Sequence, residues 1–192
     1  MKGTIAGVVG MLAVCGTSQA AIVFSNYSSV GSAGPATPTF GPFDADLTFD
    51  FPAGTVGDPV DPFRVGSVTI TFDGTSNSGG IAGVVISTLG AALGSGFVTI
   101  QTTVEDLVTP GVIAVGGLNF DTNNPPPVFS TLTFSRATDS FRVTTLVSLS
   151  ALDTQAFDLA QVSLIEMLFT PVPAPSGLLA LAALPLLARR RR

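Results

Sequence analysis

A period-two alternation of apolar and polar residues is the feature that most constrains the fold of this chain. In residues 47–51 and again in 68–72, every second residue is apolar, which is the pattern of a strand with one buried face. Clusters of Gly, Pro, Asn and Asp separate such runs, for example at 73–77 and 123–127. Short strands divided by turn residues predict an all-β domain, either an antiparallel β-sandwich or a jelly roll.

The same pattern predicts eight or nine strands, over residues 22–27, 39–51, 63–73, 81–89, 96–105, 112–120, 128–136, 140–150 and 158–170. Two segments are ambiguous. Residues 81–93 are apolar with Ala and Gly, and in residues 159–169 the apolar side chains could also line one face of a helix. Residues 28–42 are rich in Ser, Gly and Pro and are predicted to form a long loop or an irregular edge.

The aromatic composition indicates what fills the core and which kind of ligand site the surface disfavours. The chain has fourteen Phe, one Tyr and no Trp. Phe is purely apolar, so most of these rings are expected in a core between two sheets. Sugar-binding surfaces commonly present Trp or Tyr. Because only Tyr27 is available, the composition disfavours a stacking site for polysaccharide.

The N-terminus has the features of a signal peptide. Lys2 provides a positive charge, residues 5–14 are apolar, and residues 18–20 follow the small-x-small rule. The pattern predicts a signal-peptide helix over residues 1–20, with cleavage between Ala20 and Ala21. The only cysteine, Cys15, lies inside this segment, where a loose lipobox is the alternative interpretation. Cleavage after Ala20 would leave a mature chain without disulfides or thiol chemistry.

The C-terminus combines three parts. Residues 171–176 are rich in Pro, which indicates an extended linker. Residues 177–188 are apolar and four arginines follow, so residues 177–192 are predicted to form a short apolar helix with a basic end on the cytoplasmic side. A permanent span needs about 20 apolar residues, so this shorter segment favours a transient stop in the membrane.

The tail resembles the PEP-CTERM sorting signal of Gram-negative bacteria, which has a Pro-containing motif, an apolar segment and a basic end. The motif position is occupied by Val172, Pro173, Ala174, Pro175 and Ser176, and the basic end by Arg189, Arg190, Arg191 and Arg192. Ala174 stands where the family usually has Glu. The resemblance implies processing by an exosortase-type enzyme, transient contact with the inner membrane, and export to the cell surface or the exopolysaccharide matrix.

The domain between the two signals, residues 21–170, is strongly acidic. It has three basic residues, Arg64, Arg136 and Arg142, against thirteen acidic ones, which gives a net charge of −10, and it contains no Lys or His. Such a surface repels nucleic acid and anionic lipid headgroups. The composition also excludes catalysis by Ser-His-Asp, Cys-His, zinc-histidine and lysine Schiff-base sites in this domain.

Only carboxylate chemistry remains open to this composition. A glycoside hydrolase needs two acids flanking the bond, and the candidates are Glu105 with Asp106, or Glu166 with a distant Asp. Glu105 and Asp106 are adjacent, so on a strand they point to opposite faces. A Ca²⁺ site is the other candidate, because Ca²⁺ takes six to eight oxygen ligands. Its predicted ligands are Asp44, Asp46 and Asp50, within a looser cluster that includes Asp58 and Asp61.

These observations predict a non-catalytic, exported protein of the surface or extracellular matrix that acts by binding or by structural association. Its expected partners are the processing enzyme and cell-surface or matrix polysaccharide. Two alternatives remain open: a carboxylate-based glycoside hydrolase, and an adhesive β domain that assembles through edge strands with or without Ca²⁺.

Overall fold

Two antiparallel sheets packed face to face form a β-sandwich in the computed structural model, which describes residues 21–40, 45–58, 64–77, 79–153 and 157–172. These residues all belong to one compact unit, Gln19–Val172. Within them the strands are β1 (Ile22–Gly31), β2 (Thr37–Phe40), β3 (Asp46–Asp50), β4 (Thr55–Gly57), β5 (Val65–Ser76), β6 (Ile81–Leu93), β7 (Phe97–Asp106), β8 (Gly111–Asp121), β9 (Val128–Thr138), β10 (Ser140–Ser150) and β11 (Leu159–Pro171).

Sheet A has the strand order β1-β5-β10-β7-β8, and sheet B has the order β2-β3-β11-β6-β9 with β4 paired to β11. Consecutive strands therefore alternate between the sheets at several points, as in a jelly roll or Greek-key sandwich. Strands β8 and β9 follow each other in the chain and form the edges of sheets A and B on the same side of the sandwich.

The alternating pattern of each strand builds the core. On β10, for example, the alternate residues from Phe141 to Leu149 are buried, including Thr145 among the apolar side chains, and the residues between them face outward. Both sheets contribute apolar side chains to the space between them, which is how a sandwich excludes water from its two inner faces. The largest rings at the centre are Phe49, Phe72, Phe120, Phe141 and Phe169. The all-β antiparallel sandwich is thus confirmed.

Both segments that could have been helices are strands. Strands β6 and β11 pair along their whole lengths, from Leu93 opposite Leu159 to Ile81 opposite Pro171. Each is flanked by a strand on its other side, and burial on the inner face outweighs the helix-like spacing of the apolar residues.

Of the two possibilities predicted for residues 28–42, the long loop is wrong and the irregular edge is right, because β1 and β2 are edge strands and the β1–β5 register shifts between Ser25 and Ser28. Residues Ser28 to Gly31 continue β1 and pair with β5, and residues 37–40 form β2. Edge strands need only one partner and expose one face, so Ser- and Gly-rich segments are tolerated there. The predicted strand over 39–51 is divided into β2 and β3, and β4 was not predicted.

The predicted terminal helices lie outside the described residues, as do Ala20, Pro173 to Ser176 and the four arginines. Ala21 and Val172 are described. The carbonyl of Ala21 accepts a hydrogen bond from Asn77 N at 3.2 Å, and Val172 N donates to Gly80 O at 2.7 Å. Among the described residues, no helix is long and apolar enough to cross a membrane.

Candidate ligand-binding face

The outward face of sheet A carries a row of short polar side chains in register across four strands. Ser67 on β5 lies opposite Ser148 on β10. Ser148 lies opposite Thr99 on β7, and Thr99 lies opposite Asn119 on β8. This polar row places three hydroxyl groups and one amide at neighbouring strands, which are about 4.8 Å apart.

Phe97 stands beside the polar row, at the first position of β7. Val98 and Ile100 are buried, so Phe97 and Thr99 point outward, and 38% of Phe97 is exposed. Its ring is therefore part of the surface of sheet A and not of the core.

A groove of about 570 Å³ lies over β7 and β8. This central groove is lined mainly by Phe97, Thr99, Gln101, Thr103, Val115 and Asn119. Gly117 lies opposite Gln101, where a Cβ atom would collide with the backbone oxygen of Ile100. Only glycine fits this close approach of the two strands, and its missing side chain keeps the groove open.

A second groove, of about 380 Å³, adjoins the first and shares Phe97 and Thr99 with it. This serine groove lies over β5, β10 and the start of β7, with four serines in its wall: Ser32, Ser67, Ser148 and Ser150. Ser67 N donates a hydrogen bond to Ser32 Oγ at 3.1 Å, which holds the loop after β1 against the groove. The two grooves together form one surface with Phe97 at its middle.

An ion pair borders this face at its other end. Arg142 donates to both carboxylate oxygens of Asp73, at 2.7 and 3.0 Å, and Asn26 Nδ2 donates to Asp73 at 2.7 Å. These hydrogen bonds, that of Arg142 foremost, lower the pKa of the Asp73 carboxyl. Among the described residues that line the two grooves, none is charged. The grooves can therefore bind a neutral ligand through hydroxyl, amide and apolar contacts.

The first candidate pair of carboxylates, Glu105 and Asp106, points to opposite faces, as expected for adjacent residues on a strand. Glu105 faces outward, whereas Asp106 is buried at the end of β7. Asp106 accepts hydrogen bonds from Arg136 Nε at 2.8 Å, from Thr138 Oγ1 at 2.9 Å and from the backbone N–H of residues 108 and 109. The Arg136 hydrogen bond is the largest cause that holds the pKa of Asp106 far below its ordinary value of 3.8. This carboxylate is a structural anchor for the β7–β8 turn.

In the second candidate pair, the distant aspartate that lies beside Glu166 is Asp46. Asp46 lies opposite Leu168, and Glu166 lies opposite Thr48, so the two acids are diagonal neighbours on the outward face of sheet B. Burial, and secondly the charge of Glu166, raise the pKa of Asp46. Asp46 Oδ1 has no hydrogen-bond partner among the described residues, and Glu166 accepts a hydrogen bond from Ser87 at 3.0 Å. Neither acid lines the central or the serine groove.

The predicted Ca²⁺ ligands are only partly described, because Asp44 and Asp61 lie outside the described residues. Asp46 and Asp50 share the outward face of β3 but are four residues, or about 13 Å, apart along the strand. That is too far for both to bind one ion directly. No group of three or more acidic, His or Cys residues within the described ranges could hold a metal. A Ca²⁺ site that includes Asp44 stays a prediction.

The expectation that most Phe rings lie in the core is confirmed for the described residues, although four rings are exposed. Seven of the twelve described Phe residues are buried, Phe24 packs against the core, and four are exposed: Phe40, Phe97, Phe129 and Phe157. The sequence pattern of residues 97–101 indicates that Phe97 is exposed. Side chains alternate between the faces of a strand, so burial of Val98 and Ile100 places Phe97 on the outer face. The surface around it depends on strand neighbours that are distant in sequence.

No protein-family model and no curated protein matches the chain. Among solved structures, it is similar to the carbohydrate-binding module TmCBM61 in complex with β-1,4-galactotriose, with 11% identity, a TM-score of 0.40, and 77% of this chain and 90% of that chain covered. A family 11 carbohydrate-binding module from Clostridium thermocellum, in complex with a β-1,3-1,4-mixed-linked tetrasaccharide, has 9% identity, a TM-score of 0.27, and coverage of 84% and 92%.

The enzymatically active domain of bacteriophage CBA120 tailspike protein 4 has 12% identity and a TM-score of 0.31, with 81% of this chain and 20% of that chain covered. Similarity this low does not establish a family, a ligand or an activity for this chain.

Proposed function

We propose that this protein is a non-catalytic binding protein for neutral polysaccharide, and that the polysaccharide binds on the outward face of sheet A. The observation that carries this proposal is the pair of grooves that meet at Phe97. Their hydroxyl and amide groups can donate to and accept from sugar hydroxyls, and the Phe97 ring offers an apolar surface to a sugar ring. A sheet provides a rigid base for such contacts.

Charge restricts the ligand class. Residues 21–170 have a net charge of −10, and the one arginine on this face, among the described residues, is paired with Asp73. Anionic polysaccharides would meet like charge over much of the domain, and the described residues that line the grooves offer them no cation. A neutral glycan is not repelled by the negative charge of the domain and needs no cation for binding.

A binding role fits the groove chemistry better than hydrolysis. Glycoside hydrolysis needs two carboxyl groups beside the scissile bond, and none lines the grooves within the described residues. The hydrolase alternative rests on Asp46 and Glu166 on the other sheet, where burial of Asp46 limits access of a sugar. Release of reducing ends from a bound glycan would favour that alternative, and we expect none.

We propose that the two terminal signals deliver this domain to polysaccharide outside the cell. The N-terminal segment would direct export, and the PEP-CTERM-like tail would be processed by an exosortase-type enzyme. Mass spectrometry of the exported protein tests this: we expect a mature N-terminus at Ala21, and retention in the cytoplasm would contradict it.

The binding proposal is tested by replacing Phe97. The full chain and its Phe97→Ala variant are titrated with β-1,4-galactotriose, a β-1,3-1,4-mixed-linked tetrasaccharide and the corresponding neutral polymers. We expect the wild type to bind at least one of them, and the variant to bind it about ten-fold more weakly, since a central ring in a binding site is typically worth more than 1 kcal/mol.

The matched control is Phe40→Ala. Phe40 is also an exposed Phe, 64% accessible, but it lies on β2 at the far edge of sheet B. We expect this variant to keep the wild-type affinity. Equal losses in both variants, or no binding of any neutral glycan by the wild type, would refute the proposed site.

A further inference from the structure

Phe129 is the most exposed large apolar side chain in the described part of the protein, with 77% of its surface accessible. It lies on β9, the edge strand of sheet B, opposite Ser87. A ring this exposed contributes little to the hydrophobic core. Exposed apolar surface of this kind marks a candidate contact for a ligand.

A third groove, of about 410 Å³, lies at this edge of the sandwich. This edge groove is lined by Asn119, Asn124, Pro127 and Phe129, together with neighbouring residues of β8 and β9. As in the first two grooves, its described lining contains amide, hydroxyl and apolar groups and no charged side chain. The chemistry of the outward face of sheet A thus continues around its edge.

The edge groove and the central groove are contiguous. They share Gly117, Leu118 and Asn119 on β8. The chain can therefore offer one path from the serine groove, past Phe97, over the β8 edge and on to Phe129.

The far wall of this path is held in place by local hydrogen bonds. Asp121 Oδ1 accepts from the backbone N–H groups of Asn123 and Asn124, at 2.7 and 2.8 Å. Asn124 Nδ2 in turn donates to the backbone oxygen of Asn119 at 3.1 Å. The loop between β8 and β9 is thus positioned before any ligand arrives, which lowers the entropy cost of binding.

We propose that Phe129 is a second aromatic contact for the same polysaccharide chain, and that the binding site extends over the edge of sheet A into the edge groove. This inference rests on the proposed function. Phe97 points outward from sheet A and Phe129 points outward from sheet B. A ligand that contacts both rings must therefore pass over the edge formed by β8 and β9 and span more than the roughly 10 Å between packed sheets. A monosaccharide or disaccharide cannot bridge this distance, whereas an internal segment of a longer chain can.

The test is a titration by ligand length. The full chain is titrated with neutral β-1,4-linked galacto-oligosaccharides and β-1,3-1,4-mixed-linked oligosaccharides, from disaccharides to hexasaccharides. We expect the affinity of the wild type to rise by about ten-fold from the shortest to the longest members of the bound series. We expect Phe129→Ala to abolish this rise and to leave the affinity for the shortest bound member unchanged.

Two further variants separate the outcomes. Phe97→Ala weakens binding at every length if the central groove is the primary site, and Phe129→Tyr retains the rise because the ring remains. If Phe97→Ala weakens binding but Phe129→Ala matches the wild type at every length, the extension is wrong and the proposed function stands. If the wild type binds neither series, both are overturned. Thermal unfolding of each variant confirms that it is folded.

Discussion

At the scale of single residues, Asp106 is the most heavily bonded carboxylate described in this domain. It accepts hydrogen bonds from the β7–β8 turn, from Arg136 on β9 and from the Thr138 hydroxyl, which in turn accepts from Ser140 N at 3.3 Å. The second guanidinium nitrogen of Arg136 bonds to the backbone oxygen of Thr109. The carboxylate of Asp106 therefore links the end of β7, the β7–β8 turn and β9 at one end of the sandwich.

This network predicts an acid-dependent loss of stability. The folded-state pKa of Asp106 lies below the ordinary value of 3.8, so between these two values the unfolded chain binds more protons and stability rises with pH. The contribution of Asp106 is complete above about pH 5 and is lost as the pH falls through 3.8 towards the folded-state pKa. We expect Asp106→Asn to lower Tm by several degrees at neutral pH, with a gap to wild type that narrows in acid.

Thermal unfolding followed by circular dichroism between neutral pH and about pH 2 measures this gap. Asp139→Asn is the control, because Asp139 is an exposed acid in the turn between β9 and β10. A gap for Asp106→Asn that stays constant over the whole range would contradict the proposed role of its charge.

At the scale of elements, strands β5 and β10 meet through a glycine and a ring. Gly74 pairs with Phe141, and a Cβ atom at Gly74 would collide with the Phe141 ring. That ring also packs on Phe169, with centroids 4.9 Å apart, and on Phe134 at 6.3 Å. The absence of a side chain at Gly74 thus leaves the space that the Phe141 ring occupies in the core.

This packing predicts coupled substitutions. Phe141→Ala leaves a cavity and is expected to cost about 3–5 kcal/mol in the free energy of unfolding. Gly74→Ala overpacks the site and is expected to cost about 1–3 kcal/mol. Adding Phe141→Leu to Gly74→Ala relieves the collision, so the double variant should be more stable than the sum of the single effects.

Urea denaturation of the wild type, Gly74→Ala, Phe141→Leu and the double variant measures the coupling. Gly116→Ala serves as the comparison, since its Cβ would meet the flexible side chain of Leu132 at 3.2 Å, and it should cost less than Gly74→Ala. Strict additivity of the Gly74 and Phe141 effects would contradict the packing described here.

At the scale of the whole molecule, the first and last described residues of the sandwich lie at one place. Ala21 and Val172 are each bonded to the turn between β5 and β6. Ser67 in the polar row lies nine residues, or about 30 Å, back along β5 from the end of that strand. The grooves near Phe97 are thus distant from Ala21 and Val172.

We therefore expect residues 21–172 to fold and bind without the terminal segments. The fragment should unfold in a single cooperative transition, as single domains of this size usually do, and its affinity for the neutral glycan bound by the full chain should agree within about two-fold. Circular dichroism and calorimetric titration check both points. An unfolded fragment, or one that has lost binding, would mean that the terminal segments contribute to the domain.

The sequence by itself determined the fold class and most strand positions, because the period-two pattern and the turn residues are local signals. It also excluded histidine, lysine and thiol chemistry from residues 21–170. The terminal signals were predicted from the sequence too, and they remain predictions.

Tertiary structure decided what local patterns could not. Whether residues 81–93 and 159–171 are strands was set by their pairing with each other, because packing overrides ambiguous periodicity. The candidate site was decided in the same way. Ser67, Thr99, Asn119 and Ser148 are distant along the chain, and only the strand order of sheet A brings them into one row beside Phe97. A binding face of this kind is a property of strand register, which depends on non-local pairing.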